Sequence, residues 1–280
     1  METQLRGTGQ VVTISPERPV VIIGERINPT GRKRLTAQLR EGDLSMVRQE
    51  AQAQVAQGAE VIDVNVGAVG VDQVETLPRA VVAAAEAVDV PLAIDTDNPR
   101  ALEAALALCP GRPLVNSVTG EERSLAVALP LVKEYGTAVI ALTMDEQGIP
   151  DTPEKRLAVA HKIVERAEAM GIPRQDVIVD CLALCVGADH RAAAVTLEAM
   201  RLVRQELGVN LVMGASNVSF GLPDREAING IFLAMAIAQG LTCAITDPAH
   251  TRRAILISDL LLGRDEFAIR YIRFFRQQQG

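Results

Sequence analysis

One pattern repeats along the chain: a short, almost continuous apolar run, a turn, and then a helical stretch rich in Ala and Leu. The apolar runs predict strands at residues 20–27, 60–66, 91–96, 113–118, 138–144, 176–182, 210–216 and 243–247. Helix signals stand between them, such as Thr152 followed by Pro153 at the start of a helix, and Gly58 at the end of another. Apolar strands that alternate with helices are typical of a parallel sheet covered by helices.

Eight β/α units within about 250 residues predict a closed (β/α)8 barrel, the TIM barrel, built as a single α/β domain. We expect residues 1–18 to form an N-terminal extension, in which residues 11–15 are a short strand that closes the barrel bottom. Residues 264–280 are expected to form a C-terminal helix. An open, doubly wound sheet is the alternative fold. The sequence contains neither a dinucleotide-binding GxGxxG motif nor a P-loop.

Composition and charge narrow the classes of function. The 280 residues are 48% hydrophobic and 22% charged, as in a globular protein with a large core, and the net charge is −7. Such a chain is not expected to bind nucleic acid or an anionic membrane non-specifically. The sequence has no apolar signal segment, no stretch long enough to span a bilayer, and four scattered cysteines. We therefore expect a cytoplasmic protein with free thiols.

Polar residues stand where the predicted strands end, which is where the functional site of such a barrel lies. Carboxylates and amides dominate these positions, at Glu25, Asp63, Asn65, Asp95, Asn116, Asp180, Ser216 and Asn217. Such residues often cap the following helix, and Asn98, Asp145 and Asp247 are interpreted in that way. The others lie in or directly after apolar strands, where burial without a partner costs about 1–3 kcal/mol per group. They predict a ligand with several N–H donors.

Other chemistries fit the sequence less well. No metal site is predicted, because the three histidines lie on or beside helices or beyond the last strand. Cys181 and Cys185 are not spaced as zinc ligands. No histidine is in position for a Ser–His–Asp triad. A phosphate site would need a Gly-rich loop with a cation, and a sugar site would need aromatic platforms in a chain with only 2% aromatic residues.

Seven short segments at the predicted strand ends occur in the order found in one known family. They are IIGERIN (22–28), VIDVNVG (61–67), AIDTDN (93–98), VNSV (115–118), ALTMDEQGIP (141–150), IVDCL (178–182) and GASNVS (214–219). Together they resemble the methyltetrahydrofolate:corrinoid protein methyltransferases. These enzymes belong to the pterin-binding barrel superfamily, with dihydropteroate synthase and the folate domain of cobalamin-dependent methionine synthase. The resemblance extends from about residue 20 to residue 265.

The resemblance implies an enzyme that moves the N5-methyl group between methyltetrahydrofolate and the cobalt of a corrinoid, a cobalamin carried by a partner protein. It also implies a homodimer, which the aromatic C-terminal helix would suit. The family pattern assigns pterin binding to Asp95, Asn116, Asp180, Asn217 and Arg225. A pterin edge offers an N3–H and a 2-amino group, and one carboxylate accepts both hydrogen bonds in parallel, the role expected of Asp180.

Four further residues surround these positions in the family pattern. Asp63 and Asn65 lie one strand over and are expected to orient the pterin-binding groups, together with Ser219 in the loop after the seventh strand. Phe220 stands where the best-known relatives have a polar residue, which puts hydrogen bonding by this loop in doubt. We interpret Phe220 instead as a residue that packs on the substrate or on the partner protein.

Asn217 is the residue expected to be catalytic. The N5 amine must gain a proton or a strong hydrogen bond before its methyl group can leave. An amide suits this step, because it accepts from a protonated N5 or donates to an unprotonated one. It cannot supply the proton, which must come from solvent or from a relay. A helix cap is the alternative role for Asn217.

Two other functions remain open for the sequence. Dihydropteroate synthases place a Ser-Arg-Lys type motif after the seventh strand, whereas this chain has SNVS at 216–219, with no cation for a departing pyrophosphate. A folate-binding barrel without chemistry is the other alternative. The chain lacks a DxHxxG-like corrinoid motif, since the segment at 189–194 has no glycine. The corrinoid is therefore expected on a separate protein over the barrel mouth.

Overall fold

Eight parallel strands close into a barrel in a computed structural model that describes residues 1–278. The strands are β1 (Thr3–Arg6), β2 (Val11–Ile14), β3 (Val21–Ile27), β4 (Val61–Asn65), β5 (Leu92–Asp95), β6 (Leu114–Thr119), β7 (Ala138–Leu142), β8 (Val177–Asp180), β9 (Asn210–Gly214) and β10 (Cys243–Thr246). The helices are α1 (Lys33–Glu41), α2 (Ser45–Gln57), α3 (Gln73–Ala87), α4 (Pro99–Leu108), α5 (Glu122–Tyr135), α6 (Pro153–Ala169), α7 (Ala192–Leu207), α8 (Arg225–Ala238), α9 (Pro248–Leu261) and α10 (Ile269–Gln278).

The barrel consists of β3 to β10 in chain order, and β10 pairs with β3 to close it. This closure confirms the predicted (β/α)8 fold and excludes the open, doubly wound sheet. Each of the eight predicted strands overlaps one strand of the barrel.

Both faces of the barrel strands are apolar because each face packs against something different. Outward side chains such as Ile62, Val115 and Val179 form one large core with the surrounding helices. Inward side chains such as Ile23 and Ile178 form a second core inside the lower barrel. The nearly continuous apolar runs in the sequence follow from this two-sided burial.

The barrel bottom is closed by an antiparallel hairpin of β1 and β2, in which Thr3 pairs with Ile14. Leu5, Val12 and Ile14 pack against the inward side chains of the lower barrel. Asn210 Nδ2 donates to Thr3 Oγ1 at 2.9 Å and to the Ile14 carbonyl at 3.0 Å. The strand predicted at 11–15 is confirmed, whereas β1 was not predicted.

The structure confirms the helix start predicted at Thr152 and the helix end predicted at Gly58. Thr152 caps α6, with its hydroxyl accepting from Lys155 N at 3.3 Å. Gly58 follows α2 with a left-handed φ of 106°. Helix α1 was not predicted, because only Leu35 and Leu39 of its nine residues are buried.

The C-terminal helix begins later than the sequence suggested. A short 3-10 helix, Glu266–Ala268, precedes α10 in the segment predicted as one helix over 264–280. Phe267 interrupts the helical backbone there, with φ of 54°. Residues 279 and 280 lie outside the described residues. Within residues 1–278, no helix combines the length and apolar character that crossing a membrane requires.

Candidate functional site

The upper interior of the barrel is polar, in contrast to its lower interior. Side chains alternate along each strand, so Asp63 and Asn65 point inward from β4, as do Asp95 from β5 and Asn116 from β6. The strand register pairs Asn65 with Asp95, and Asp95 with Asn116. Three neighbouring strands therefore bring amides and carboxylates to one level of the barrel mouth.

These side chains form two hydrogen-bonded pairs across the strands. Asn65 Nδ2 donates to Asp95 Oδ2 at 2.8 Å, and Asn116 Nδ2 donates to Asp63 Oδ1 at 3.1 Å. Each pair joins one residue predicted to bind the pterin to one predicted to support it. The pairing brings the two predicted groups of residues together, while the roles themselves stay predictions.

The electrostatics of this cluster favour a ligand that donates hydrogen bonds. Asp63 is only 2% exposed, and burial together with the nearby Asp95 carboxylate raises its pKa well above the ordinary value. Burial also raises the pKa of Asp95, to about 6. Charged forms are disfavoured here because each carboxylate has lost water and gained only one amide donor. N–H groups of a ligand would stabilise the ionised forms.

Asp180 lies across the mouth at the end of β8 and is 6% exposed. Its Oδ1 accepts from the backbone N–H of Leu182 at 2.7 Å. Burial raises its pKa to about 6. An inward carboxylate with one oxygen engaged by the backbone has a fixed orientation, which suits recognition of a planar ligand edge.

Arg156 of α6 holds the loop that follows Asp180, and the sequence analysis did not identify it. Its guanidinium is 1% exposed and donates to the carbonyls of Cys181 at 2.6 Å and Leu182 at 2.9 Å. Among the described residues it forms no salt bridge. A buried arginine with only carbonyl and hydroxyl partners fixes the backbone of the loop. The sequence pattern does not indicate this role, because Arg156 is far from β8 along the chain.

Asn217 lies in a 3-10 helix, Ala215–Ser219, that directly follows β9. Its side chain is exposed and makes no hydrogen bond to any residue within 1–278. The next α-helix, α8, begins at Arg225, and Asp224 precedes it. The helix-cap alternative for Asn217 is therefore wrong, because Asn217 is seven residues too early to cap α8.

Arg225 braces the Asn217 loop. Its Nη2 donates to the Ser216 carbonyl at 2.8 Å and its Nε to Ser219 Oγ at 3.1 Å. Ser219 Oγ in turn donates to Asn229 Oδ1 at 2.7 Å. The arrangement holds the loop backbone from α8, while pterin contact by Arg225 stays a prediction.

Phe220 extends the same loop toward solvent. Its side chain is 71% exposed, and the Arg225 guanidinium lies 5.8 Å from the centre of its ring. An exposed phenyl ring at the mouth has little internal packing. This position fits the interpretation that Phe220 contacts a molecule that arrives at the mouth.

Glu25 reaches the Asn217 loop from the other side of the mouth. It lies on β3 where the strand register is irregular, between Gly24 and Ile27, and its side chain reaches Ser216. Ser216 Oγ lies 3.3 Å from both of its carboxylate oxygens. Burial raises its pKa above the ordinary value. The sequence placed Glu25 at a strand end but assigned it no role.

The three predicted caps behave differently. Asn98 caps α4, accepting from Arg100 N at 3.1 Å, and Asp247 caps α9, accepting from Ala249 N at 3.0 Å. Asp145 does not cap a helix, which corrects its interpretation. It accepts from Gln147 N at 2.9 Å within a turn, because α6 begins only at Pro153.

The mouth opens sideways into a cavity of about 470 Å³ beside Asp95 and Asn116, which extends between α4 and α5. Among residues 1–278, no group of three or more His, Cys, Asp or Glu side chains is arranged to hold a metal ion. The side chains at the mouth can form hydrogen bonds through amides and hydroxyls and exchange protons through buried carboxyls.

Comparisons with known proteins find relatives over most of the chain. A family described as pterin binding enzyme matches residues 24–247. The chain is 32% identical over 268 residues to the methylcorrinoid:tetrahydrofolate methyltransferase of Eubacterium limosum, covering 92% of this chain and 97% of that protein. It is 30% identical over 247 residues to the methionine synthase of Mycobacterium tuberculosis, covering 84% of this chain and 21% of that protein.

Solved structures match the fold. The dihydropteroate synthase of Yersinia pestis, bound to a pterine-sulfa conjugate, aligns with a TM-score of 0.71 at 21% identity, covering 94% of this chain and 99% of that one. The dihydropteroate synthase of Xanthomonas albilineans, with 7,8-dihydropteroate, aligns with a TM-score of 0.68 at 18% identity, covering 93% and 99%. At these identities the likeness concerns the fold alone.

Proposed function

Because the chain belongs to the pterin binding enzyme family, we propose that it transfers a methyl group between tetrahydrofolate and the cobalt of a corrinoid protein. The Eubacterium limosum relative, similar over nearly the whole chain, is named for such a transfer. The observation that carries the proposal is one barrel mouth that joins buried hydrogen-bond acceptors to an exposed amide, Asn217. Acceptors suit the pterin ring, and the amide suits its N5 atom.

In this proposal the pterin ring is held by fixed acceptors on the barrel strands. Asp180 accepts from N3–H and the 2-amino group, which a carboxylate with two oxygens receives in parallel. Asp95 and Asn116 contact the remaining ring nitrogens. Asn65 and Asp63 keep these two side chains oriented, through the hydrogen bonds of 2.8 and 3.1 Å described above. Binding thus supplies the N–H donors that the buried carboxylates lack.

Asn217 acts at N5, the atom that carries the methyl group. During transfer, the cobalt(I) of the corrinoid donates an electron pair to the methyl carbon, and the bond from N5 to that carbon breaks. N5 keeps the electrons of that bond and ends as a neutral N–H amine, provided that it has received a proton. Asn217 stabilises protonated N5 by accepting its hydrogen bond, and the fixed pterin aligns the methyl group with cobalt.

The hydrogen bonds of the loop that contains Asn217 support these separate roles. Arg225 and Ser219 fix the backbone on either side of Asn217, so that only the amide head is free to rotate. The loop contains no lysine, and its nearest arginine is engaged by Ser216 and Ser219. A departing pyrophosphate would find no free cation here, which counts against dihydropteroate synthesis.

The corrinoid is proposed to arrive on a partner protein that covers the mouth. Exposed apolar side chains stand on the loops around the mouth, namely Val69, Ile149, Leu184 and Phe220. These loops follow β4, β7, β8 and β9, so the side chains lie on different sides of the opening. Dispersed apolar contacts of this kind suit a transient partner better than a permanent one.

A homodimer is proposed through the outer face of α8. Ile231 is 65% exposed and Met235 is 50% exposed, and Ala227 and Ala234 lie beside them. An outer helix with an apolar exposed face is typical of a subunit contact, and the mouth stays open. Ile231→Glu is expected to give a monomer by light scattering at micromolar concentration. A monomeric parent protein would contradict the proposal.

Methyl transfer between methyltetrahydrofolate and cob(I)alamin, followed optically with purified protein, tests the proposed function. The protein is expected to accelerate the transfer, and Asn217→Ala is expected to remove most of that acceleration. Folate binding without any transfer would favour a folate-binding barrel without chemistry. Formation of dihydropteroate from its precursors would favour the synthase alternative.

A further inference from the structure

The carboxyl groups inside the barrel mouth differ in the kind of group that contacts them. Asp63 and Asp95 each accept from an amide Nδ2, and Asp180 accepts from a backbone N–H. Glu25 instead faces a hydroxyl, Ser216 Oγ, at 3.3 Å from both carboxylate oxygens. Glu25 is thus the carboxyl at the mouth whose protein partner is a group that can both donate and accept.

This difference determines which carboxyl keeps its hydrogen bond when it gains or loses a proton. Amide and backbone N–H groups can only donate, so they stabilise the ionised form of a carboxylate. A protonated Asp95 would gain little from Asn65, because Asn65 Oδ1 already accepts from Gly67 N at 2.7 Å. A serine hydroxyl accepts as readily as it donates, so Glu25 keeps its hydrogen bond to Ser216 in either protonation state.

The charged groups around Glu25 leave it without a dedicated cation. Arg26 pairs with Asp247, with 3.4 Å between Nε and Oδ2, and Arg225 is engaged by the loop carbonyl and hydroxyl. Repulsion from Asp247 disfavours a charged Glu25, whereas the hydrogen bond from Ser216 and the charges of Arg26 and Arg225 favour it. Burial is the largest influence and raises the pKa of Glu25, so that a proton is retained at higher pH than in water.

Glu25 also touches the residue that precedes Asn217 in the chain. Ser216 belongs to the same 3-10 helix as Asn217, and Arg225 holds its carbonyl at 2.8 Å. The Ser216 hydroxyl therefore has a fixed backbone and a carboxyl partner at the side of the mouth where Asn217 stands. An amide head cannot supply the proton that N5 needs, whereas this pair can.

We propose that Glu25 stores the proton that N5 receives, and that the Ser216 hydroxyl connects it to the N5 position beside Asn217. The inference rests on the proposed methyl transfer. When the corrinoid takes the methyl group, the Glu25 carboxyl loses its proton to N5, the N5–methyl bond breaks and the cobalt–carbon bond forms. Solvent then reprotonates Glu25. In the reverse direction the Glu25 carboxylate takes the proton from N5–H of tetrahydrofolate as the methyl group arrives.

The test is single-turnover methyl transfer across pH, with folate affinity measured beside it. In the parent protein, transfer to cob(I)alamin is expected to slow as pH rises through the titration of Glu25. Glu25→Gln keeps the shape of the side chain but holds no acidic proton. It is expected to lower the rate by about 10²-fold or more, to abolish that pH limb and to leave folate affinity unchanged.

Further variants separate a proton path from a structural contact. Ser216→Ala is expected to slow transfer while the pH midpoint set by Glu25 remains, and Glu25→Asp is expected to restore a pH-dependent limb. Glu206→Gln is the matched control, since Glu206 is exposed on α7 outside the mouth and is expected to behave like the parent.

Two results would overturn the inference. The first is a Glu25→Gln protein with the parental rate and pH limb. The second is Ser216→Ala at the parental rate, which also decides the matter should Glu25→Gln fail to fold. A parent protein that binds folate but transfers no methyl group would instead overturn the proposed function, and this inference with it.

Discussion

The two sides of the barrel mouth hold their polar side chains in different ways. On the side of β4 to β6, amides and carboxylates are paired across strands, as in the Asn65–Asp95 hydrogen bond of 2.8 Å. On the side of β9, the Asn217 side chain is exposed and has no hydrogen-bond partner within residues 1–278. The backbone around Asn217 is nevertheless held firmly by Arg225.

In the proposed function, this difference separates recognition of the pterin from reaction at its N5 atom. Acceptors that must match a planar ring gain from fixed orientation, because less freedom is lost on binding. A group that must follow N5 from an unprotonated to a protonated state needs a head that rotates between donating and accepting. A free amide on a fixed backbone meets that need.

The largest effect is expected from Asp180, a carboxylate at the end of β8, across the mouth from the pairs on β4 to β6. Asp180→Ala removes the proposed acceptor for two pterin N–H groups and is expected to weaken folate binding by about 2–5 kcal/mol. Calorimetric titration measures the loss, and Glu206→Ala, at an exposed carboxylate on α7 outside the mouth, is the control expected to bind normally. Parental affinity in a folded Asp180→Ala protein would remove Asp180 from the binding site.

Substitution of Asn217, on the side of β9, is expected to affect the methyl-transfer rate more than folate binding. Asn217→Ala removes one hydrogen bond to an atom that gains charge, which costs about 2.7–4 kcal/mol, or roughly 10²–10³ in rate. Single-turnover methyl transfer to cob(I)alamin, beside folate affinity, measures both quantities. Equal losses in transfer rate and folate affinity would contradict the proposal that Asn217 acts in the reaction rather than in binding.

Asn217→Asp sharpens the same test. A carboxylate at this position would attract the N5 proton, but it would also add a negative charge to a mouth that already contains several carboxyl groups. Like-charge repulsion would raise its pKa, and the transfer rate of the variant is expected to become strongly pH-dependent. A variant rate with the parental pH profile would show that Asn217 does not face N5.

Protonation of the Asp95 and Asp180 carboxylates predicts how folate affinity changes with pH. The pKa values of Asp95 and Asp180 are raised to about 6 in the folded protein by burial. Because the folded values exceed the unfolded ones, these groups stabilise the free protein at low pH, and that stability is lost as pH rises through about 6. Pterin N–H donors favour the ionised carboxylates.

Folate affinity, and the rise in melting temperature that folate produces, are therefore expected to increase between about pH 5 and about pH 8. Asp180→Asn is expected to flatten this dependence, because an amide does not titrate in that range. Affinity that falls over the same interval in the parent protein would mean that the pterin binds the protonated carboxyls.

The smallest effect contrasts two asparagines that both follow barrel strands. Asn98 caps α4, so Asn98→Ala is expected to lower the free energy of unfolding by about 1 kcal/mol without changing the transfer rate. Asn217→Ala is expected to change stability by less than about 0.5 kcal/mol, since the exposed side chain has no partner to lose. Urea denaturation of both variants measures the contrast. A destabilised Asn217→Ala protein would show that this amide is structural.

Most of the barrel follows from local pattern, because each strand is buried on both faces and several helices have end signals, such as Thr152 and Gly58. The inward position of Asp63, Asp95 and Asn116 also follows, since side chains alternate along a strand. The local pattern of apolar and polar residues does not predict which side chains pair when they are far apart in the sequence. The bond from Asn116 to Asp63 joins residues 53 positions apart, and nothing in either segment indicates it.

The errors have comparable physical causes. Strand β1 has only four residues, and its stability comes from β2 and the barrel interior rather than from its own sequence. Asp145 resembled a cap because it precedes a helix, but a turn of its own separates it from α6. Arg156 was overlooked because a helical arginine is usually solvated, whereas this one is buried against carbonyls.

The hairpin at the barrel bottom has a consequence for kinetics. Because β1 and β2 close the lower interior, the proposed pterin site is reached through the mouth, which the proposed corrinoid protein would also cover. The proposed reaction therefore has a compulsory order: folate binds before the carrier docks, and the folate product leaves after the carrier departs. Excess corrinoid protein is accordingly expected to slow folate exchange, and to inhibit steady-state turnover at high concentration.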